Sequence, residues 1–191
     1  MKICIISDDY YFSTGVEALL KSRCRVERFS PQEVVSTRGH RHLEGHDRMV
    51  VNIYNRALYR KVSQKLIHCS AEKIILLRHW NRLSKRIRRY FTPVKITPAA
   101  LRGLVMCETL PDSPRPVVLN ESYFEIYQKI IAGADSQYLA DSNDVTYKRV
   151  FYMKKVILAK LGLEEVSPTN VFLAESVFLG FQGRNQVTFT S

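Results

Sequence analysis

Lys148, Arg149, Phe151, Tyr152, Lys154 and Lys155 crowd into one short stretch, YKRVFYMKK. Lysine and arginine neutralise phosphates or donate to guanine edges, and aromatic side chains touch thymine methyl groups. The same stretch carries Val150, Met153, Ile157 and Leu161 at helical spacing, which is a core stripe. It therefore predicts a helix with one face for a core and another, cationic and aromatic, for duplex DNA. Taken alone, such a charged helix suits a solvated face better than DNA. What precedes the helix decides between them. Gly133 can end one helix in the left-handed conformation, and Asp135 can cap a short helix over about 136–142. Ala140 is small enough for a crossing helix to approach. Ser142-Asn143-Asp144 is a polar turn with Val145 beneath it. Thr146 caps the long helix, which runs to about Leu161 and stops at Gly162. A short helix, a tight turn and a long helix form the helix-turn-helix arrangement.

The flanking segments supply the support. Ser122-x-x-Glu125 reads as a capping box for a preceding helix whose buried face is Phe124, Tyr127, Ile130 and Ile131. Ser167 and Pro168 open a following helix with Val171, Ala174 and Phe178 at helical spacing. Phe172, Leu173, Val177 and Leu179 make that helix apolar nearly all round, a surplus one small domain does not bury. The segment resembles the LuxR/NarL/FixJ-type DNA-binding domain. The resemblance runs without a gap through Ile130, Ile131, Gly133, Leu139, Ala140, Thr146, Val150, Lys160, Leu161, Gly162 and Leu163. Asn143, Arg149 and Met153 depart from its preferred leucine, threonine and histidine. The resemblance implies that Phe151, Tyr152 and Lys155 meet base edges while Lys148 and Lys154 hold phosphates. It also implies that the last helix pairs with its copy in a dimer, which places Val171, Ala174 and Phe178 at an interface.

The front half alternates apolar runs with helical patterns. Strands are expected at Lys2 to Ser7, Arg25 to Phe29, Met49 to Ile53, Lys73 to Leu77 and Phe91 to Lys95. Helices are expected around Phe12–Leu20 (capped by Ser13 or Thr14), Leu58–Leu66, a very basic Trp80–Tyr90, and from Pro98. This pattern predicts a flavodoxin-like doubly wound parallel sheet. IISDDYYFSTGVEALL is similar to the opening of response-regulator receiver domains. In that family an acidic pair, here Asp8 and Asp9, holds Mg²⁺, and an aspartate on the third strand accepts a phosphoryl group. The acceptor position falls on Asn52, Leu77 or Arg78 stands at the Ser/Thr position, and Lys95 matches the lysine loosely. Phosphoryl transfer needs a carboxylate nucleophile, and a neutral amide also removes charge that Mg²⁺ requires. The expectation is a receiver fold kept for protein contacts. Asp8-Asp9 is then either a helix-capping turn or a residual Mg²⁺ pair. Arg78 to Arg89, with Trp80, Arg86 and Tyr90, lies where a receiver has its fourth helix. Such a run is usually a solvated face or adds phosphate affinity, but its aromatics favour a protein interface, and the resemblance implies a dimerisation surface there.

Composition sets the frame. The 191 residues carry a formal net charge of +11, with a pI near 9.6, which favours polyanionic partners. No apolar run suits a membrane span, the acidic residues after MKICIIS argue against a secretion signal, and four scattered cysteines fit a reducing cytoplasm. His40, His42 and His46 read as an exposed loop rather than a metal site. The expected layout is a degenerate receiver-like domain (1–107), a proline-rich linker (108–118), a helix-turn-helix domain (119–182) and a tail (183–191). No cofactor and no enzyme chemistry are expected, since no nucleophile–base pair or glycine-rich phosphate loop is visible. The whole resembles accessory Rcs-type regulators (RcsA-like or BglJ-like). That implies a sequence-specific regulator of transcription on double-stranded DNA, as a homodimer or as a heterodimer with a related response regulator. Two alternatives stay open: a protein that titrates a partner without touching DNA, and a phosphorylation-switched regulator.

Overall fold

The computed structural model describes residues 1–36, 43–88, 90–107, 117–132, 134–142, 144–163, 165–182 and 187–190. The strands of the front half are β1 (Lys2–Ser7), β2 (Arg25–Phe29), β3 (Arg48–Asn52), β4 (Glu72–Leu77) and β5 (Thr92–Pro93). All pair in parallel, in the order β2-β1-β3-β4-β5. Short apolar runs make β1, β3 and β4 buried on both faces, while the edge strands β2 and β5 are less apolar and less covered. Side-chain alternation sorts the core into two layers. Ile3, Ile5, Val50, Ile74 and Leu76 pack against α1 (Tyr10–Leu20) and α5 (Pro98–Met106) through Val16, Leu20, Leu101 and Val105. Cys4, Ile6, Met49, Val51, Ile75 and Leu77 face the other way, toward α2 (Pro31–Ser36) and α3 (Arg56–Leu66).

Behind β5 lies a helical unit. It contains β6 (Val117–Asn120), α6 (Glu121–Ile131), α7 (Ser136–Ser142), α8 (Tyr147–Lys160), α9 (Pro168–Gln182) and β7 (Val187–Thr190). β6 begins within the expected linker and pairs in parallel with β7, so the tail is tied back to the start of the unit. The prolines 111, 114 and 116 lie outside the described residues, as do Gly133, Asn143, His40 and His42.

Four local expectations are corrected. The cap of α1 is Asp9, whose carboxylate accepts from Phe12 N, not Ser13 or Thr14. The cap of α6 is Asn120, accepting from Tyr123 N at 3.1 Å, not Ser122. His46 is buried rather than in an exposed loop, with Nε2 3.1 Å from Glu27 Oε2 and Nδ1 3.2 Å from the Leu43 carbonyl. The long basic helix over 80–90 is instead a 3-10 turn (Trp80–Arg82) and a single-turn α4 (Lys85–Arg88). Trp80 explains the break: its indole N–H donates to the carbonyls of Arg88 and Phe91, at 3.0 and 2.8 Å, folding the stretch back on itself.

That short α4 leaves sheet surface uncovered, and α9 covers it. Val171, Leu173, Ala174, Val177, Phe178 and Phe181 join the same buried cluster as Ile75, Leu77, Tyr59 and Val62. Gly180 permits the approach, since a Cβ there would lie 2.5 Å from Phe91 Cε1 and 3.4 Å from Ile75 Cδ1. The Phe91 and Phe181 rings meet edge to face with centroids 5.2 Å apart. Tyr59 donates to the Ser176 carbonyl at 3.0 Å. The buried Glu175 carboxylate accepts from both Arg56 and Arg60 of α3. Val171, Ala174 and Phe178, expected at a dimer interface, are buried within this chain, with Phe178 against Phe124 of α6 and the Val171 carbonyl accepting from Tyr127. Most of the apolar surplus of α9 is buried within one chain, and Phe172 stays 47 % exposed.

Candidate nucleic-acid interface

The capping residues expected between α7 and α8 act as expected. Asp135 accepts from Tyr138 N at 3.4 Å, and Thr146 Oγ1 accepts from Arg149 N at 3.2 Å. The turn itself is held by Val145 N donating to the Ala140 carbonyl at 3.0 Å, with Asp144 in the left-handed region at φ 50°. Asp and Asn tolerate that region better than most residues. Ile126, Leu139, Ala140, Val150 and Met153 form the small core beneath α7 and α8, with Val145 packed on it. Ile157 and Leu161 continue the buried stripe into the larger core.

With that stripe turned inward, the opposite face of α8 must face solvent. Lys148, Arg149, Phe151, Tyr152 and Lys155 are all exposed, Phe151 by 45 % and Tyr152 by 53 %. Arg149 lies 5.5 Å from the Tyr123 ring centroid and 5.9 Å from that of Tyr152, which fixes its guanidinium against α6. Lys154 is only half exposed, and burial pulls its ammonium pKa below the usual lysine value. It borders the face rather than centring it. Two residues escaped sequence reasoning. Tyr138 on α7 and Tyr147 at the first position of α8 are 65 % and 52 % exposed. Their signal was available: each sits off the buried phase of its own helix.

The second candidate site is the C-terminal edge of the parallel sheet. Asn52 ends β3 with 1 % exposure, and among the described residues neither its Oδ1 nor its Nδ2 has a hydrogen-bond partner. Asp8 accepts from Tyr54 N with both carboxylate oxygens, at 2.9 Å, and from Asn55 N at 2.7 Å. Asp9 is spent on the α1 cap. Leu77 is buried and apolar at the position where a hydroxyl would sense phosphate. This donor set does not fit Mg²⁺. Asp8 is committed to backbone amides, Asp9 faces a helix end, and Asn52 brings no charge. Among the described residues no group of three His, Cys, Asp or Glu side chains could hold a metal ion. In this structure Asp8 ties the β1 end to the loop at Tyr54 and Asn55, and Asp9 starts α1.

Around Trp80, in the expected dimer surface, the contacts seen are within the chain. The indole is committed there, and Arg88 lies 5.1 Å from its ring centroid. The Arg86 side chain lies outside the described residues. No helix among the described residues is long and apolar enough to cross a membrane.

No protein-family model and no curated protein matches the sequence. Solved structures do. RcsB from Salmonella enterica serovar Typhimurium, bound to promoter P1flhDC with the phosphomimetic BeF3-, superposes with a TM-score of 0.60 at 13 % identity. The match covers 93 % of this chain and 98 % of that one. A complex of the two-component response regulator RcsB with DNA gives 0.56 at 13 % identity, again over 93 % and 98 %. A structure of two RcsB dimers bound to two parallel DNAs gives the same values. At such identity the likeness speaks for architecture: the chain has the fold of an α/β receiver joined to a helical helix-turn-helix unit, to which the β6–β7 pair is an addition over the all-α expectation.

Proposed function

We propose that the protein is a sequence-specific DNA-binding regulator of transcription whose receiver-like half makes protein contacts and is not phosphorylated. The observation that carries this is the outward face of α8, where Lys148, Arg149, Phe151, Tyr152 and Lys155 stand exposed on a helix seated by α7. A helix so presented fits the major groove. RcsB, whose fold is similar, is described on DNA and as dimers on DNA. In this reading Phe151, Tyr152 and Lys155 read bases, Lys148 and Lys154 hold the backbone, and Arg149 belongs to the same DNA-facing surface. The net charge of +11 adds non-specific attraction.

Asn52 supports an inert receiver. An amide offers no carboxylate oxygen to attack a phosphorus centre. A regulator that cannot be switched this way fits the accessory, RcsA- or BglJ-like role, pairing with itself or with a related phosphorylatable response regulator. With α9 committed to the core, that pairing uses the receiver-like half.

Lys155→Ala tests the base-reading role. Specific binding in mobility shifts weakens by ~1–3 kcal/mol while the thermal midpoint stays put. Undiminished specific binding removes Lys155 from the reading surface. Incubation with acetyl phosphate, followed by intact mass, tests the inert receiver. No phosphoprotein forms, and a stoichiometric adduct would favour the phosphorylation-switched alternative.

A further inference from the structure

The cations of this chain are unevenly placed. From Lys73 to Cys107 the sequence holds nine lysines and arginines and no aspartate or glutamate, and six of the nine fall between Arg78 and Arg89. From Val117 to the C-terminus, the stretch that carries α8, it holds seven against eight. Most of the charge that draws the chain to a polyanion thus belongs to the receiver-like half, around the 3-10 turn and α4. We propose that this turn is a second DNA contact, with Arg82 and Lys85 holding phosphates of the duplex that α8 reads. The inference rests on the DNA-binding reading and adds a surface to it. Protein pairing by the receiver-like half then uses its other faces.

The chemistry of the face is the first argument. Arg82 and Lys85 are exposed, and among the described residues no carboxylate pairs with either. Arg82 donates to Asn170 Oδ1 at 3.4 Å, which tethers it to the start of α9. The aromatics that suggest a protein interface turn inward. Trp80 spends its indole N–H on the Arg88 and Phe91 carbonyls, and the Tyr90 ring centroid lies 5.9 Å from that of Phe181. Among the described residues no large apolar side chain between 78 and 106 is exposed. A protein interface centres on apolar or aromatic anchors, whereas phosphate contacts need only exposed cations on a fixed backbone. A second copy fits no better, since a two-fold contact would set like charges against each other.

The link to the reading helix is the second argument. Ser84 N donates to the Gly162 carbonyl at 2.8 Å, just beyond the end of α8. A Cβ at Gly162 would run into Ile87 of α4 and lie 2.8 Å from Ser84 Oγ, so glycine permits this approach. Gly162 stands about 10 Å along the helix axis from Lys155. One turn of duplex is ~34 Å long, so a single duplex bridges the two surfaces.

The test measures affinity of the full-length protein for a duplex bearing its footprinted sequence, and for a scrambled duplex of equal length, across a salt series. Arg82→Gln with Lys85→Gln lowers the log–log salt slope by about two on both duplexes and leaves the ratio of the two affinities unchanged. Arg82→Lys with Lys85→Arg keeps the slope. Lys21→Gln with Arg23→Gln also keeps it, although it removes as much exposed charge beside β2, at the opposite edge of the sheet. Thermal midpoints show that each variant is folded. Lys148→Ala answers separately for α8: if it alone leaves the slope unchanged, the reading of α8 fails while the turn still contacts DNA. A slope unchanged by Arg82→Gln with Lys85→Gln overturns the proposal, and a loss of poly-glutamate binding in that variant would then assign the face to an acidic protein. A slope lowered as much by Lys21→Gln with Arg23→Gln also overturns it, since the charge would then act only from a distance.

Discussion

Helices α8 and α9 are consecutive, and each presents a buried stripe to a neighbour, yet they meet their surroundings in opposite ways. α8 divides its surface: Val150, Met153 and Ile157 go inward, and lysines and aromatics go outward. α9 divides much less, because Val171, Leu173, Ala174, Val177, Phe178, Leu179 and Phe181 are all buried. A split helix can sit at a boundary with solvent or a partner. A helix apolar almost all round needs protein around it. The difference teaches that one buried cluster takes residues from the receiver-like sheet, from α9 and from Ile157 and Leu161 at the end of α8. α9 gives that core most of its surface, while α8 keeps its cationic face outward.

The sharpest way to break this comparison is to shorten one aromatic on each helix. Phe178 is buried, with its ring centroid 4.2 Å from that of Phe124. Phe178→Ala should cost ~3–5 kcal/mol in urea unfolding. Phe151→Ala, on the exposed face of α8, should stay within ~0.5 kcal/mol. Equal costs would erase the distinction. A second test exploits the ion pairs that seat α9. The Glu175 side chain is 6 % exposed, whereas those of Arg56 and Arg60 are 37 % and 45 % exposed. Replacing both arginines by alanine strands a buried carboxylate and should cost ~3–5 kcal/mol. Glu175→Ala frees two arginines that can reach water, and should cost markedly less. The reverse order would show that the carboxylate is not where the packing of α9 puts it. The smallest effect belongs to the sheet end. Asn52→Leu replaces an unsatisfied amide by an apolar group, and should raise stability by about 1 kcal/mol. A loss there would mean that the amide is satisfied in solution.

Much of this was legible because local signals do not need tertiary context. The parallel strands came from short β-branched runs, and the α7–turn–α8 unit came from Asp135, Thr146 and the stripe at Val150, Met153 and Ile157. The outward face of α8 followed from the phase of that stripe. What was not legible depended on long-range packing. Residues 80–90 have a helical period, but Trp80 spends its N–H on two carbonyls ahead of it and folds the stretch into turns. The partner of α9 could not be read from α9 itself. An apolar surplus says that something covers the helix, and a second copy or the same chain satisfies it equally. Gly180 and Glu175 marked the answer, but only against Phe91, Arg56 and Arg60, which lie some hundred residues away in sequence. The fate of Asp8 was hidden in the same way, since Tyr54 and Asn55 offer it nothing but backbone N–H groups.

The most direct test of DNA recognition by α8 is footprinting of genomic fragments by the full-length protein across a salt series, alongside Lys148→Ala. A discrete protected sequence should appear, with affinity falling steeply as salt rises, and the variant's log–log salt slope should be shallower by about one. Affinity indifferent to salt, or a slope unchanged without Lys148, would contradict the account.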